Sequence, residues 1–149
     1  GFRLGSTLSD TGTVTRGVAE SDGSGRLVKI AEHSDIERGD DGQIHSTEAD
    51  GAMADDTLVS MNMWGFDASV LDLLDEKLAE FLKTNSDKPK AEALLPNDIG
   101  ELVENGRLEV DVLDSSETWL GITHADDLAT ATSAIGALIE SGDYPSSLR

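Results

Sequence analysis

Apolar and polar positions change period several times along this chain, and each change marks an element. Residues 14–20 and 26–32 alternate, with the turn-forming run SDGSG between them, so they read as a β-hairpin. In the second strand Val28, Ile30 and Glu32 fall on one face, because strand side chains alternate. Phe2 to Leu4 reads as the end of a further strand, and LSDTG, residues 8–12, as turn chemistry. Leu58 to Phe66 alternates again, with Val59, Met61 and Met63 on one side and Ser60, Asn62 and Trp64 on the other.

The period then lengthens. Val70, Leu71, Leu74, Leu78, Phe81 and Leu82 form the apolar stripe of a helix over 68–83, with Asp67 or Ser69 as its cap. Pro96 opens a second helix, with Ile99, Leu102 and Val103 inward and Gly106 as its stop. Leu108, Val110 and Val112 alternate with acids as one more strand. Residues 126–140 form a third helix, with Leu128, Ala131, Ile135, Leu138 and Ile139 inward. No internal repeat is present. Strands interleave with helices, so the fold class is α/β.

Residues 34–56 break the pattern. They are acidic and Gly-containing with few large apolar groups, which predicts a flexible acidic loop. Within it ERGDDGQIHSTE, residues 37–48, mimics a calcium-binding loop. Asp41, Gly42, Ile44 and Glu48 fall at loop positions five, six, eight and twelve. Glu37 and Gly39 replace the early oxygen ligands, and no helix leads in, so the reading is a solvated loop.

Composition narrows the function. The chain has 149 residues, enough for one domain with a core, and a net charge of −19. That charge speaks against nucleic-acid binding and against docking on an anionic membrane. There is no cysteine, so no disulfide frame and no thiolate chemistry. No apolar run is long enough to span a bilayer. No signal-peptide pattern opens the chain, and a cytoplasmic protein is the default. The opening GFRLGS has no Met and no cap and reads as a strand entered midway, so a fragment of a longer protein is expected.

Spacing alone assigns no chemistry. There is no G-x-S-x-G elbow and no phosphate loop of the G-x-x-x-x-G-K-[ST] or G-x-G-x-x-G kind. His33, His45 and His124 lie far apart without metal-ligand spacing. Asp126 and Asp127 most simply charge a helix N-terminus.

Four segments in order carry a resemblance. GTVTRGV, residues 12–18, with RLVKIAE is similar to a G-x-G-x-[IV] strand and a strand ending V-E-K or V-E-H. VSMNMWGFD, residues 59–67, is similar to N-x-G-[IL]-[YF]-x-[FL]. KAEALLPNDIGE with GRLEV resembles G-E-x-x-[IL]-T-D plus G-x-[LV]-x-V. ETWLGITHADDLATATSAI resembles W-x-D-x-G-T-x-x-x-L-x-x-A. Together they resemble the C-terminal half of the sugar nucleotidyltransferases, the NDP-sugar pyrophosphorylases, and a bacterial branch in particular.

The resemblance implies half of a Rossmann-like nucleotide-diphospho-sugar transferase fold, a mixed sheet with flanking helices, as a single partial domain over 1–149. It implies a parent enzyme that joins a nucleoside triphosphate and a sugar 1-phosphate, with Mg²⁺, into an NDP-sugar and pyrophosphate. Asn62 matches the family's sugar-binding Asn, and its amide has the donors and acceptor that hydroxyls need. Glu32 matches the sugar-binding Glu, and Gly12 would allow close approach of the sugar. Each has a plainer reading: Asn62 as a buried amide tying down backbone, Glu32 as a strand-end surface acid, Gly12 as a turn glycine.

Two departures bear on activity. The family's G-x-G-[ST]-R-[LM] nucleotide loop, its following Lys and its first metal-binding Asp are absent. The W-x-D carboxylate is Gly121, with Asp126 or Asp127 as possible replacements. The fragment alone is therefore expected to be inactive and, with its cut face exposed, to form a homodimer. A non-catalytic acidic α/β binding or regulatory domain is the alternative.

Overall fold

The computed structural model describes residues 1–9, 12–117, 119–122, 125 and 127–147. The chain gathers into two compact units, Gly1–Glu117 and Thr118–Arg149. In the first, β1 (Phe2–Arg3) and a 3-10 turn (Leu4–Ser6) precede β2 (Val14–Ser21), β3 (Leu27–Arg38), β4 (Ile44–His45) and β5 (Leu58–Ser60). Two helices follow, α1 (Val70–Asn85) and α2 (Leu95–Glu104). The strands form one sheet in the order β1-β5-β2-β3-β4. The class is mixed α and β as expected, but every ladder between named strands is antiparallel, where a mixed sheet was anticipated.

The β2–β3 hairpin turns on Asp22. Its Oδ1 accepts the Ser24 N–H at 2.8 Å, the Ser24 hydroxyl at 2.7 Å and the Arg26 N–H at 3.0 Å. Gly25 completes the turn at φ 86°, in the left-handed region that glycine enters without steric cost.

Two register shifts in this ladder decide which side chains share a face. Between the pairs Glu20↔Lys29 and Ser21↔Leu27, β3 carries one residue more than β2. An extra residue inverts the alternation beyond it. Leu27 is therefore buried, while Val28, expected on the face of Ile30 and Glu32, is exposed. The second shift lies between Arg16↔His33 and Val14↔Ile36, where Asp35 adopts φ 51°. It turns Ile36 to the opposite face from Ile30. One strand thereby serves two cores. Leu27 and Ile30 pack with Val70, Ile99 and Leu102, and Ile36 packs with Leu4, Ile44 and Val59.

The acidic segment is anchored, contrary to the sequence-based expectation. β3 continues to Arg38, well beyond the expected end at residue 32, and Ile44 is fully buried with Met53 against the same core. Its polar residues bind β3. The Glu48 carboxylate accepts the Ser34 N–H and hydroxyl, both at 2.7 Å, and the Thr47 N–H donates to the Ser34 carbonyl at 3.1 Å. Arg38 pairs with Asp55. A few apolar groups suffice because the acids face outward and satisfy their neighbours' donors.

β5 is three residues long, although alternation predicted a strand to Phe66. Asn62 takes φ 55°, which ends the strand, and its N–H donates to Ser60 Oγ at 3.0 Å. Met63, expected on the same side of the strand as the buried Val59, is 84% exposed. Trp64 stacks on Phe66 at 5.6 Å between ring centroids, and both pack against the first core.

α1 begins at Val70 with no side-chain cap from Ser69. Val70, Leu73 and Leu74 face the core, whereas Leu71, Leu78 and Leu82, expected inward, are exposed. α2 carries proline in its first turn and ends in a Schellman motif. Gly106, at φ 66°, donates to the Val103 carbonyl, and Arg107 donates to that of Leu102. The helix lies flush on β3 because Gly100 has no side chain: a Cβ there would stand 2.5 Å from the Ile30 carbonyl oxygen.

Residues 108–112 alternate as expected, but they and the residues through 115 pair, among the described residues, only by single bridges. The Leu27 N–H donates to the Val110 carbonyl and the Val112 N–H to that of Gly25, both at 2.8 Å. Farther along, the Ser115 N–H donates to the Gly1 carbonyl, also at 2.8 Å. The segment is thus a strap from the start of β3 to β1, across the curl of the sheet. In the second unit, α3 (Asp127–Ser141) buries Ala131 and ends before Gly142 at φ 88°. Among the described residues no helix is long and apolar enough to cross a membrane.

Gly100→Ala should destabilise the protein by about 1–3 kcal/mol, because the added methyl meets backbone. Gly136→Ala, which meets nothing within 4 Å in α3, should stabilise its helix by roughly 0.5–1 kcal/mol. Urea unfolding followed by circular dichroism checks both. No loss from Gly100→Ala would refute the flush packing of α2.

Candidate functional site

The sheet brings three sequence positions into a row. Gly17 on β2 pairs with Glu32 on one side and with Ser60 on the other. Paired residues share a face, and this face is the one that α2 covers: a Cβ on Gly17 would meet Pro96 Cβ at 3.1 Å, Ile30 Cδ1 at 3.3 Å and Ser60 Cβ at 3.3 Å. The Glu32 N–H donates to Asn97 Oδ1 at 3.2 Å, so the first turn of α2 fixes this end of the row.

Glu32 is half-buried. Desolvation pushes its carboxyl above the ordinary value, and the charges of Arg16 and His33 partly offset that. Arg16 itself is held by carbonyls, donating to Thr7 at 2.6 Å and to Thr15 at 2.8 Å. The His33 ring approaches Ser46 Oγ with Nδ1 at 3.0 Å.

Asn62 lies two residues beyond Ser60, exposed, with its Oδ1 at 3.5 Å from Trp64 Nε1. The buried-amide alternative is therefore excluded. Gly12 sits on an exposed loop before β2, and nothing lies within 4 Å of where its Cβ would be. The structure thus aligns Glu32 with Ser60, places Asn62 just past the row, and leaves Gly12 apart from it.

A cleft of about 500 Å³ opens beside the row, between the strap 110–115 and the turn 61–65. Ala19, Leu27 and Ile30 line it from the sheet, Val110, Val112 and Leu113 from the strap, and Met61, Met63 and Trp64 from the turn after β5. Ser60 belongs both to the row and to the cleft, whereas Glu32, Asn62 and Gly12 do not line it. At the rim Asp114 pairs with Arg3 at 2.6 Å and Asp111 with Arg26 at 3.8 Å. Sequence reading missed Arg16, Ser60 and Asn97. Their only signal was position: all three lie inside the resembling segments, and Asn97 follows the helix-opening proline.

The magnesium sites implied by the resemblance have no counterpart among the described residues. Among the described residues, no three His, Asp or Glu side chains converge on a point where a metal could be held. At Gly121 a Cβ would overlap the Trp119 ring, so that position has no room for the family's carboxylate with the ring where it lies. Asp127 opens α3, while Asp126 and His124 lie outside the described residues. In the calcium-like stretch, Asp41 Oδ1 accepts the Gln43 N–H at 3.0 Å, and Glu48 is engaged with Ser34.

No protein-family model matches the chain, and no curated protein matches it. The functional reading rests on the residues themselves.

The Glu32 shift has a definite sign in stability. A carboxyl whose folded pKa is raised binds its proton more tightly when folded. Its contribution is greatest below the unfolded value of 4.5 and is lost as pH rises through the higher folded value. Glu32→Gln should therefore gain stability relative to the parent chain between pH 4 and pH 7. Paired urea titrations across that range measure the difference, and a difference that is flat or of opposite slope would remove the desolvation argument.

Proposed function

We propose that this chain is the sugar-phosphate half of a cytoplasmic nucleotidyltransferase of Rossmann-like fold, which makes an NDP-sugar and pyrophosphate from a nucleoside triphosphate and a sugar 1-phosphate. The observation that carries the reading is the exposed Asn62 amide next to Ser60 at the end of β5, with Glu32 on the far side of Gly17, where Pro96 packs. A carboxylate, a hydroxyl and a primary amide offer two-way hydrogen bonding to a hydroxyl-rich ligand. The half-desolvated Glu32 would exchange few waters on binding one.

In the full reaction a sugar-phosphate oxygen attacks the α-phosphorus, one P–O bond forms, and the bond to the departing pyrophosphate breaks. This chain's part in that reaction is to hold and orient the sugar. The triphosphate loop is absent from the sequence, and the described residues supply no metal site, so no bond-making step is assigned to it. The alternative, a non-catalytic binding domain, is favoured by one observation: the 500 Å³ cleft is walled mainly by apolar side chains.

In a ¹⁵N-labelled sample, glucose 1-phosphate should shift the amides of Glu32, Ser60 and Asn62, and UTP should not. Asn62→Ala should weaken the sugar phosphate about threefold to tenfold, the equivalent of one neutral hydrogen bond. The two ligands together should release no pyrophosphate. Shifts elsewhere only, or none at millimolar ligand, would reject the sugar site.

The same reading makes the isolated chain a homodimer. α1 exposes Leu71, Leu78 and Leu82 along one side, an apolar surface that a second copy can cover. Each copy carries −19, so salt should strengthen association by screening the repulsion. Light scattering over a dilution series at low and moderate salt should show this, with Leu78→Glu monomeric. A monomer under all conditions would refute it.

A further inference from the structure

The cleft has features that the sugar reading does not use. Its volume, about 500 Å³, is that of a small-molecule site rather than a packing defect. It is concave, formed between the sheet and the strap, and Trp64 supplies an aromatic wall. Two hydroxyls line it, and both act as acceptors in the bonds the structure shows. Ser60 Oγ takes the Asn62 N–H at 3.0 Å, and Ser115 Oγ takes the Glu117 N–H at 3.3 Å. A serine hydroxyl also carries a proton, so each has a donor to offer a ligand in the cleft.

The rim fixes the charge of that ligand. Asp114 pairs with Arg3, Asp111 and Glu109 share Arg26, and the Gly1 ammonium, which donates to the Leu113 carbonyl, also lines the cleft, so three positive groups stand against three carboxylates at the mouth. The chain as a whole, at −19, repels anions.

The geometry points to a binding site for an uncharged, ring-sized apolar molecule bearing an acceptor oxygen. The ring packs against Trp64, Met61 and Val110, and the oxygen accepts from Ser60. The site is independent of the sugar-phosphate reading except that both use Ser60.

The chain's three methionines make the test direct. Met61 and Met63 line the cleft, and Met53 packs in the other core, so ¹³C-methyl labelling gives two reporters and an internal control. Acetophenone should shift the Met61 and Met63 signals saturably and leave Met53 fixed. Benzoate, similar in size but anionic, should bind at least about tenfold more weakly. Ser60→Ala should weaken acetophenone about threefold to tenfold and leave toluene, which has no acceptor, unchanged.

Ala19→Phe, which fills the floor, should abolish the shifts while the Met53 signal stays in place. If that variant fails to fold, as a lost Met53 signal would reveal, the Ser60→Ala comparison between acetophenone and toluene decides. Four results would each overturn the proposal: shifts that do not saturate, a Met53 shift parallel to the others, binding retained in a folded Ala19→Phe, or equal loss of toluene and acetophenone in Ser60→Ala. None of them touches the sugar reading, whose reporters outside the cleft are the Glu32 and Asn62 amides with glucose 1-phosphate.

Discussion

The contact on which the first unit depends is that of α2 with the backbone of β3. At Gly100 the helix comes so close to the Ile30 carbonyl that any side chain would collide with it. Close packing of this kind brings Ile99 and Leu102 onto Leu27 and Ile30 and excludes water from them. The same approach puts Pro96 over Gly17 and Asn97 beside the Glu32 amide. The first turn of one helix therefore fixes both the core and one end of the candidate site.

The second constraint is the pair of extra residues in β3. A regular twelve-residue strand would show one apolar face throughout. Each bulge inverts the alternation, so β3 presents Leu27 and Ile30 to the helices and Ile36 to the opposite core. Bulges also add bend and twist, and the curl they give the sheet allows the strap 108–115 to reach from β3 to β1. The cleft exists because that strap joins the strands at a few backbone bonds instead of a full ladder, leaving side-chain-sized space between its apolar residues and the turn after β5.

Asn62 shows how local conformation and chemistry overlap at one residue. Its φ of 55° is costly for most side chains and mild for asparagine, which makes the residue a strand terminator on conformational grounds alone. The same turn leaves the amide exposed at the end of the row from Glu32 to Ser60. The two do not compete: the backbone accounts for where the amide is, and the sugar-binding role proposed for it needs only that exposure.

The sequence by itself determined the hairpin, the three helices and the side of α2 that is buried, because those depend on local periodicity and on turn residues such as Asp22, Gly25 and Gly106. It also marked Glu32 and Asn62 as positions worth attention. It did not show where β3 slips register, since an added residue in a strand leaves no trace in apolar alternation; hence Val28 was misplaced and Ile36 unassigned. Nor did it show that Met63 faces outward, because one left-handed residue at Asn62 cancels the strand that the alternation of 58–66 implied. The anchoring of the acidic segment by Ile44, the alignment of Ser60 with Glu32 across Gly17, and the cleft under the strap were decided by tertiary structure alone. Each brings together residues far apart in sequence, and only the folded sheet sets the distances between them.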